Sequence, residues 1–513
     1  MKIKYILNTL FTTIIALTVI SCGYNEDVIE ELSINREFAP VNLTANVRTQ
    51  TSVELNWTTN DNMDYYIVEF SADDPTFSTI FLNEQVTADQ LPITIRLEGE
   101  TVYSIRVKGV SLRGLNDSSW ALGEAETLSE QIMLPSEIGD IQYDKAILRW
   151  EGGLNVSHFI IQPGDIRHDI TAQEKADGLA TVEGLTSDAE TSVILYNNTK
   201  VRGTAAFNTE VDPATGTLVS TNDDILQMIT NAASGDVLLL EAGDYSAQTG
   251  TANLDKSITI RGLLSYSKPL LAINFQVNDG TTDLNLINLD LNGNLSTSDV
   301  VRYTGVGNYN SLLISGCIVH DFSRSFIAGN VTDAIVQSVT VENCIVTNIL
   351  TSGGDFIDFR NSDLLNLTVK TSTFNNCAPG RDFIRLDAAG TSNGNAICNI
   401  LLDSCTLYGC SDSSSRRILY VRFQTNLVTV KNMLITETDS EGYADRTGVD
   451  ENPIFDNNNY FNAPGFYDSS QFIFDTGTFT ELDPGFVNAL EGDFTITNQT
   501  LLDNQVGDPR WRL

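Results

Sequence analysis

The sequence is poor in histidine, in positive charge and in long apolar runs. Three histidines occur in 513 residues, His158, His168 and His320. They stand too far apart for the ligand spacing of a zinc site, so no metal and no cofactor is expected. Lys and Arg number 30 against 67 Asp and Glu, a formal charge of −37. A phosphate backbone demands a basic footprint, which excludes nucleic acid as a partner. Beyond the first turns of the chain no run of about 18 apolar residues recurs, so there is no second candidate for a membrane span.

What is present begins with an address. Met1-Lys2-Ile3-Lys4 is a basic n-region and Ile6 to Ile20 an apolar run of signal-peptide length. The run ends in Val19-Ile20-Ser21-Cys22, which resembles a bacterial lipobox, and GYNEDVIEE follows as an acidic tether. The resemblance implies a signal peptide over 1–21, lipidation at Cys22, a tether over 22–37 and a surface lipoprotein of the Bacteroidota type, anchored in the outer membrane rather than spanning it. Loss of Lys2 and Lys4 takes the formal charge to −39.

Residues 38–128 read as short alternating strands: VELNW ending at Trp57, YYIVEFS at 65–71 and LEGETVYSIRVKGVS at 97–111. Leu97, six residues before Tyr103, with Trp57 as a core tryptophan, resembles the tyrosine corner of a fibronectin type III sandwich. A second, weaker copy covers 134–210, with AILRW ending at Trp150 and GLTSDAETSVILY at 184–196. Aligning ETVY with ETSV puts Val193 at the tyrosine position. Such modules read as spacers.

From residue 215 the pattern changes. Apolar, any, small-or-Asn, apolar-or-Cys recurs as IRGL, LINL, ISGC, VENC, VKTS, LDSC and VKNM, ending at Leu263, Leu289, Cys317, Cys344, Ser372, Cys405 and Met433. The steps are 26, 28, 27, 28, 33 and 28 residues. A period near 27 with short strands and no helix in the unit is a solenoid signature. The preceding TNDDILQMITNAAS places Ile225, Met228, Ile229 and Ala232 at helical spacing, with Thr221, Asn222 and Asp223 as N-cap candidates, just before GDVLLLEAGDY. A helix there would cover the open end of the first coil, where an unpaired edge invites aggregation. This run resembles the cap and first strand of the pectin-lyase-like superfamily, including the chondroitinase B and alginate lyase group. LDPGFVNALEGDFTI at 482–496 resembles its terminal coils. The expected fold is all-β: two fibronectin type III-like sandwiches, then a right-handed parallel β-helix over 215–513 with an N-terminal capping helix and C-terminal coils from about 439.

Six further cysteines fall on this repeat. Cys317 and Cys344 share one column, and Cys377 and Cys410 share another with Phe322 and Ile349; Cys398 and Cys405 complete the set. Neighbouring coils stack about 4.8 Å apart, within reach of a disulfide, but the apolar company in each column points to core packing.

Chemistry is sought in a further strand family, DFIDFRNS at 355–362, DFIRLDAA at 382–389 and RILYVRFQ at 417–424. Alternation turns Ile357, Phe359, Ile384, Leu386, Leu419 and Val421 inward. Outward, Asp358, Arg385 and Tyr420 form one column, in line with Arg302, and Arg360, Asp387 and Arg422 the next. Residues 301–430 hold 9 basic and 10 acidic residues, against 21 and 57 elsewhere. This is the long stretch that would not repel an acidic polymer. Arg360, Arg385, Tyr420 and Arg422 are therefore the candidate substrate-binding residues, with Arg forking onto uronate carboxylates. The competing reading pairs Asp358 with Arg385 and Arg360 with Asp387 across coils on a solvated sheet.

In the chondroitinase B and alginate lyase group, successive strands carry a Lys-Ser and then a Leu-Arg-His-Gly element. Here ILYVRFQ places Arg422 at that arginine, Asp387 stands where the lysine would, and no histidine follows Arg422. Clustered aspartates of the hydrolase kind are not evident, since Asp358 and Asp387 occupy different columns. No catalytic residue is assigned. The expected function is capture of a polysaccharide, acidic in character, at the cell surface, beside outer-membrane uptake proteins. A polysaccharide lyase acting on uronates and an adhesin or stalk without a glycan site are the alternatives.

Overall fold

The computed structural model describes residues 34–387, 396–422, 426–444 and 452–512. Cys22, the signal segment and most of the acidic tether lie outside the described residues. The chain forms two compact units, one holding both sandwiches and the other the solenoid. Among the described residues almost all regular structure is strand, and the α-helices are three short ones.

In the first sandwich, Val41–Val47, Ser52–Thr58 and Ile93–Arg96 form one antiparallel sheet. Leu82–Val86, Met63–Ala72, Val102–Ser111 and Ala121–Glu126 form the other. Trp57 packs edge-on against Tyr66 with ring centroids 5.2 Å apart. The corner forms as expected: Leu97 and Tyr103 are buried, and the Tyr103 hydroxyl accepts the Glu98 backbone N–H at 3.0 Å.

The second sandwich repeats the larger sheet with Ile166–Asp169, His158–Gln162, Glu190–Asn197 and Lys200–Asn208. Trp150 packs on Phe159. One alignment changes. Thr127 Oγ1 donates to Glu98 O and accepts from Thr101 N in the first sandwich. Thr209 Oγ1 does the same with Thr186 O and Ala189 N in the second. The hydrogen bonds therefore place Thr191, not Val193, at the position of Tyr103. Both residues are buried on the same face, and a shift of two is invisible to a period-two pattern. The second sandwich also carries a helix the strand pattern did not announce, α1 (Ala172–Asp177). Thr171 and Glu174 form a capping box at its start, and Gly178 ends it at φ +71°.

The solenoid has about seven turns, each built from three strand families. The first contains Ile258–Gly262, Asp283–Ile287, Asn308–Ser315, Ile335–Glu342, Asn366–Lys370, Cys398–Asp403 and Asn426–Lys431 in parallel register. Ile260, Leu286, Ile314, Val341, Val369, Leu402 and Val430 stack as one buried column. The repeat read from the sequence is thus the physical register.

The small-or-Asn position of that repeat has a backbone cause. The second family contains Asp290–Asn292, Ile318–Phe322, Ile345–Ile349, Thr373–Asn375, Thr406–Tyr408, Leu434–Thr436 and Asn458–Phe461. Asn288, Gly316, Asn343, Thr371, Ser404, Asn432 and Asn457 sit between the first family and this one at φ between +47° and +64°. Asparagine and glycine tolerate this left-handed conformation and most residues do not. A second set of such residues ends the second family: Asp321, Asn348, Asn376, Gly409, Glu437 and Asn462. Their side chains bond along the axis, Asn376 donating to Asn348 at 2.8 Å and Asn348 to Asp321 at 3.0 Å.

All six described cysteines are buried and none is bonded to another. They fill the core, with Cys344 Sγ donating to the Glu342 carbonyl at 3.1 Å. The helix across the first coil, α2 (Ile225–Asn231), buries Ile225 and Ile229. Its N-cap is Asp224, whose carboxylate accepts from Gln227 N. Asp223, one of the expected candidates, is held by Ser220 instead, accepting from its N–H and its hydroxyl.

The C-terminal stretch departs from expectation. A last partial coil is made by Ile454–Asp456, Asn458–Phe461 and Phe479–Thr480. The run 482–496 resembled terminal coils, yet residues 482–512 add no further strand. They carry α3 (Gln499–Asp503) and fold back along the second family as a strap. Gly507 N donates to Asn432 O, Asp508 accepts from Thr373 Oγ1 at 2.7 Å, and Arg510 reaches Asn343 O at 2.9 Å. The hydroxyls of Thr373 and Thr406 face outward here and give the strap partners that the solenoid's own ladder leaves over.

The turn conformation predicts a specific asymmetry at Asn348. Valine and glycine there both remove the side-chain bonds, but only valine resists positive φ. Asn348→Val should be less stable than Asn348→Gly by about 1–2 kcal/mol, measured by urea unfolding of both variants. Equal stability would mean that this residue does not set the turn.

Candidate functional site

The third family carries the candidate site: Leu270–Val277, Asp299–Tyr303, Ser325–Gly329, Ile357–Phe359, Ile384–Leu386 and Leu419–Val421. The six residues expected inside, Ile357, Phe359, Ile384, Leu386, Leu419 and Val421, are all buried. Behind them Phe326, Phe356 and Phe383 stack at 5.1 and 4.4 Å. Register places Arg302, Ala328, Asp358, Arg385 and Tyr420 in one outward column. Asp299, Ser325, Asp355, Asp382 and Arg417 form another, three residues earlier on each coil.

The expected cross-coil pairs are not the ones that form. Arg360 Nε donates to Asp358 at 2.8 Å and Arg385 Nε to Asp387 at 3.0 Å, each to a neighbour two residues away on its own coil. The link between coils is Asp355, which accepts Arg360 at 3.1 Å and Arg385 at 3.3 Å. Asp355 lies in the earlier column and draws both guanidiniums toward it. Nor is the sheet solvated. The Asp355 and Asp358 side chains are 1 % exposed, and Tyr420 is buried as well.

Electrostatics follow from that burial. Asp299 accepts Arg302 Nε at 2.6 Å and Arg324 Nε at 2.8 Å. Burial pushes its carboxyl up, but the two arginines outweigh this and hold it below the ordinary value. Asp355 is shifted the other way, raised by burial and by Asp358 and Asp382 beyond what Arg385 and Arg360 offset. Arg417 pairs with Asp382 at 3.0 Å, with side chains 7 % and 3 % exposed. The guanidiniums of Arg417, Arg385 and Arg422 lie 4.4, 5.1 and 5.8 Å from the Tyr420 ring centre.

Arg360, Arg385, Tyr420 and Arg422 are thus brought together, but unequally. The Arg360 and Arg385 side chains are 28 % and 20 % exposed and tied to carboxylates. Arg422 is 48 % exposed and 3.9 Å from Asp387, its nearest carboxylate among the described residues. Three buried polar atoms on the same face have no hydrogen-bond partner among the described residues: Ser325 Oγ, Asn330 Oδ1 and Asp387 Oδ1. Each is a place where a buried water would be accommodated.

Sequence reasoning missed Asp299, Asp355, Asp382 and Arg417. The signal was there in the first letters of DFIDF, DFIRL and RILYV, which align as a column of their own. Aspartates do cluster on adjacent coils, as Asp355, Asp358 and Asp382, yet all three are buried behind arginines. The histidines remain apart. His158 stacks on Tyr196, His168 meets Glu174, and His320 sits between Asp290 and Asp321, whose hydrogen bonds raise it to about 9. Among the described residues, no three His, Cys, Asp or Glu converge on a metal position.

Two arginines on this face should behave differently. Arg417→Met leaves Asp382 as a buried charge without its guanidinium and should lower stability by about 3–5 kcal/mol. Arg422→Met removes a half-exposed contact and should change stability by less than about 1 kcal/mol. Thermal unfolding of the two variants checks this. A small effect at Arg417 would mean that the Asp382 pair does not hold the ladder.

Comparison with known proteins adds the following. Residues 243–377 match the family described as Domain of unknown function (DUF4957), and residues 400–511 match Domain of unknown function (DUF5123). A search of curated proteins finds no match. Among solved structures, a two fibronectin type-III domain segment from chicken tenascin aligns at 14 % identity and TM-score 0.23, covering 33 % of this chain and 97 % of that one. The central fibronectin-III array of RIM-binding protein aligns at 16 % identity and TM-score 0.15, covering 35 % and 63 %.

Proposed function

We propose that the chain is a lipid-anchored surface protein that captures polysaccharide on the third-family face of its solenoid, and that the glycan is acidic. The observation that carries this reading is Arg422, a half-exposed guanidinium whose one carboxylate among the described residues is Asp387 at 3.9 Å, at the edge of a ladder whose other described cations are engaged. Around it, a nearly balanced set of donors and acceptors removes the repulsion that the strongly negative remainder of the chain would impose on an acidic polymer. A guanidinium forks onto a uronate carboxylate.

The helix-capped coil with three strand families supports placing the solenoid in the pectin-lyase-like group. The two sandwiches then serve as spacers between an outer-membrane anchor and the binding coils, beside uptake proteins of that membrane. Lyase action is the second reading. The position of Arg422 in ILYVRFQ favours it, and it predicts unsaturated uronate products. A stalk without a glycan site predicts no binding at all.

Titration calorimetry against pectin, alginate and chondroitin fragments separates these. Arg422→Ala should weaken binding by about 1–3 kcal/mol, the range of a hydrogen bond to a charged group, and binding should fall as salt is raised. Unchanged affinity in Arg422→Ala, for a ligand that binds the parent, would remove this face from consideration. Ultraviolet absorbance of the same mixtures reports whether unsaturated products form.

For the anchor, Cys22→Ala should move the protein from the membrane fraction into soluble material. Continued sedimentation with membranes and incorporation of labelled fatty acid would show that Cys22 is not the lipidated residue.

A further inference from the structure

The returning strap encloses a second polar groove, away from the third-family face. It has a volume of about 670 Å³ and is lined by Ser404, Asn432, Asn457, Leu502, Asn504, Gln505, Pro509 and Arg512. One wall is the left-handed turn column, in which Asn457 donates to Asn432 at 2.8 Å and Asn432 donates to Asp403 at 3.0 Å. These bonds fix the amides in place. The other wall is the strap, held to the solenoid by Asn457 donating to Asn504 O at 2.7 Å and by Gly507 N donating to Asn432 O at 2.8 Å.

Arg512 is the unusual member. Its terminal nitrogens donate to two backbone carbonyls, Gln505 O at 2.7 Å and Gly507 O at 2.9 Å. It forms no ion pair with a described residue, and its buried Nε has no partner among the described residues. A guanidinium carries five N–H donors, so most of its capacity remains open. Burial lowers its affinity for the proton, and the nearby Asp508 and Asp403 only partly offset this. A partly buried cation without an anion is costly. Asp508 pairs with Arg510 and Asp403 with Lys431, and both act on Arg512 through space without an ion pair to it. The side chains of Asn504 and Gln505 also make no hydrogen bond to another described residue and face the same space.

The geometry points to this groove as a second saccharide site, one that takes a short sugar acid, a mono- or disaccharide bearing one carboxylate. Arg512 pairs with the carboxylate, and Asn457, Asn504 and Gln505 bond the hydroxyls. The volume falls in the range of small-ligand pockets. A single guanidinium with Asp403 and Asp508 close by suits a monoanion better than a phosphate dianion. Amides paired with small apolar patches, here Leu502 and Pro509, suit a sugar ring better than an inorganic ion. The site is independent of the Arg422 face, so either can fail without the other.

The test uses the full chain and titrates glucuronate, galacturonate and the singly charged disaccharide glucuronosyl-glucose, with glucose and inorganic phosphate as comparison ligands. The acids should bind, glucose and phosphate should bind at least about tenfold more weakly, and Arg512→Gln should lose about tenfold or more in affinity with an unchanged melting temperature. Should Arg512→Gln loosen the strap, Asn504→Asp provides the second arm. Its side chain has no partner to lose, so it should melt like the parent yet repel the carboxylate. Arg422→Ala should bind these short acids as the parent does. Failure of the parent to bind any of the three acids overturns the inference. So does equal binding by Asn504→Asp, or a loss caused by Arg422→Ala.

Discussion

The solenoid depends on single residues held at positive φ between its strands. A coil of about 27 residues must change direction sharply and still keep its strands in register with the next coil. One left-handed residue does this without adding length, and the backbone there admits asparagine or glycine most readily. Asn288, Asn343 and Asn432 close the first corner, and Asn348 and Asn376 the second. Because the same residue type recurs at the same height, its side chain can also bond to the copy above and below. The turn requirement and the axial ladder are therefore one constraint seen twice.

The buried ion ladder follows from that regularity. Stacked coils place like positions about 4.8 Å apart, so an outward column of one charge would repel itself. The third family avoids this by interleaving. Asp299 is shared by Arg302 and Arg324, Asp355 by Arg360 and Arg385, and Asp382 faces Arg417. The face becomes close to neutral and rigid, backed by stacked phenylalanines. Its accessible chemistry narrows to the margin around Arg422. The strap imposes a similar economy on the second family, where threonine hydroxyls and left-over backbone groups are satisfied by residues 507–512 rather than by water alone.

Much of the molecule was legible because a parallel β-helix is nearly one-dimensional. The column ending at Leu289, Cys317, Cys344, Ser372, Cys405 and Met433 is the true register, and the inward set from Ile357 to Val421 is buried as alternation requires. The tyrosine corner at Leu97 and Tyr103 was legible for the same reason, since its signal is local. Less legible was anything requiring a count that period two cannot supply. The second sandwich aligns through Thr191 rather than Val193, two residues away on the same face, and only the hydrogen bonds of Thr209 reveal it.

The sequence alone therefore determined the class of fold, the coil length, the corner residues and the list of side chains on each face, because all of these repeat along the chain and depend on near neighbours. It did not determine which aspartate meets which arginine. Side chains reach several ångströms in competing directions, and Arg360 and Arg385 each turn to an aspartate on their own coil and to Asp355 rather than to the aligned partner. Nor did it announce the strap, whose contact between Thr373 and Asp508 joins residues 135 apart in the chain. Such pairings have no period to read. They exist only when separate segments are brought together and compete for the same buried donors and acceptors, and that competition is settled by the tertiary structure.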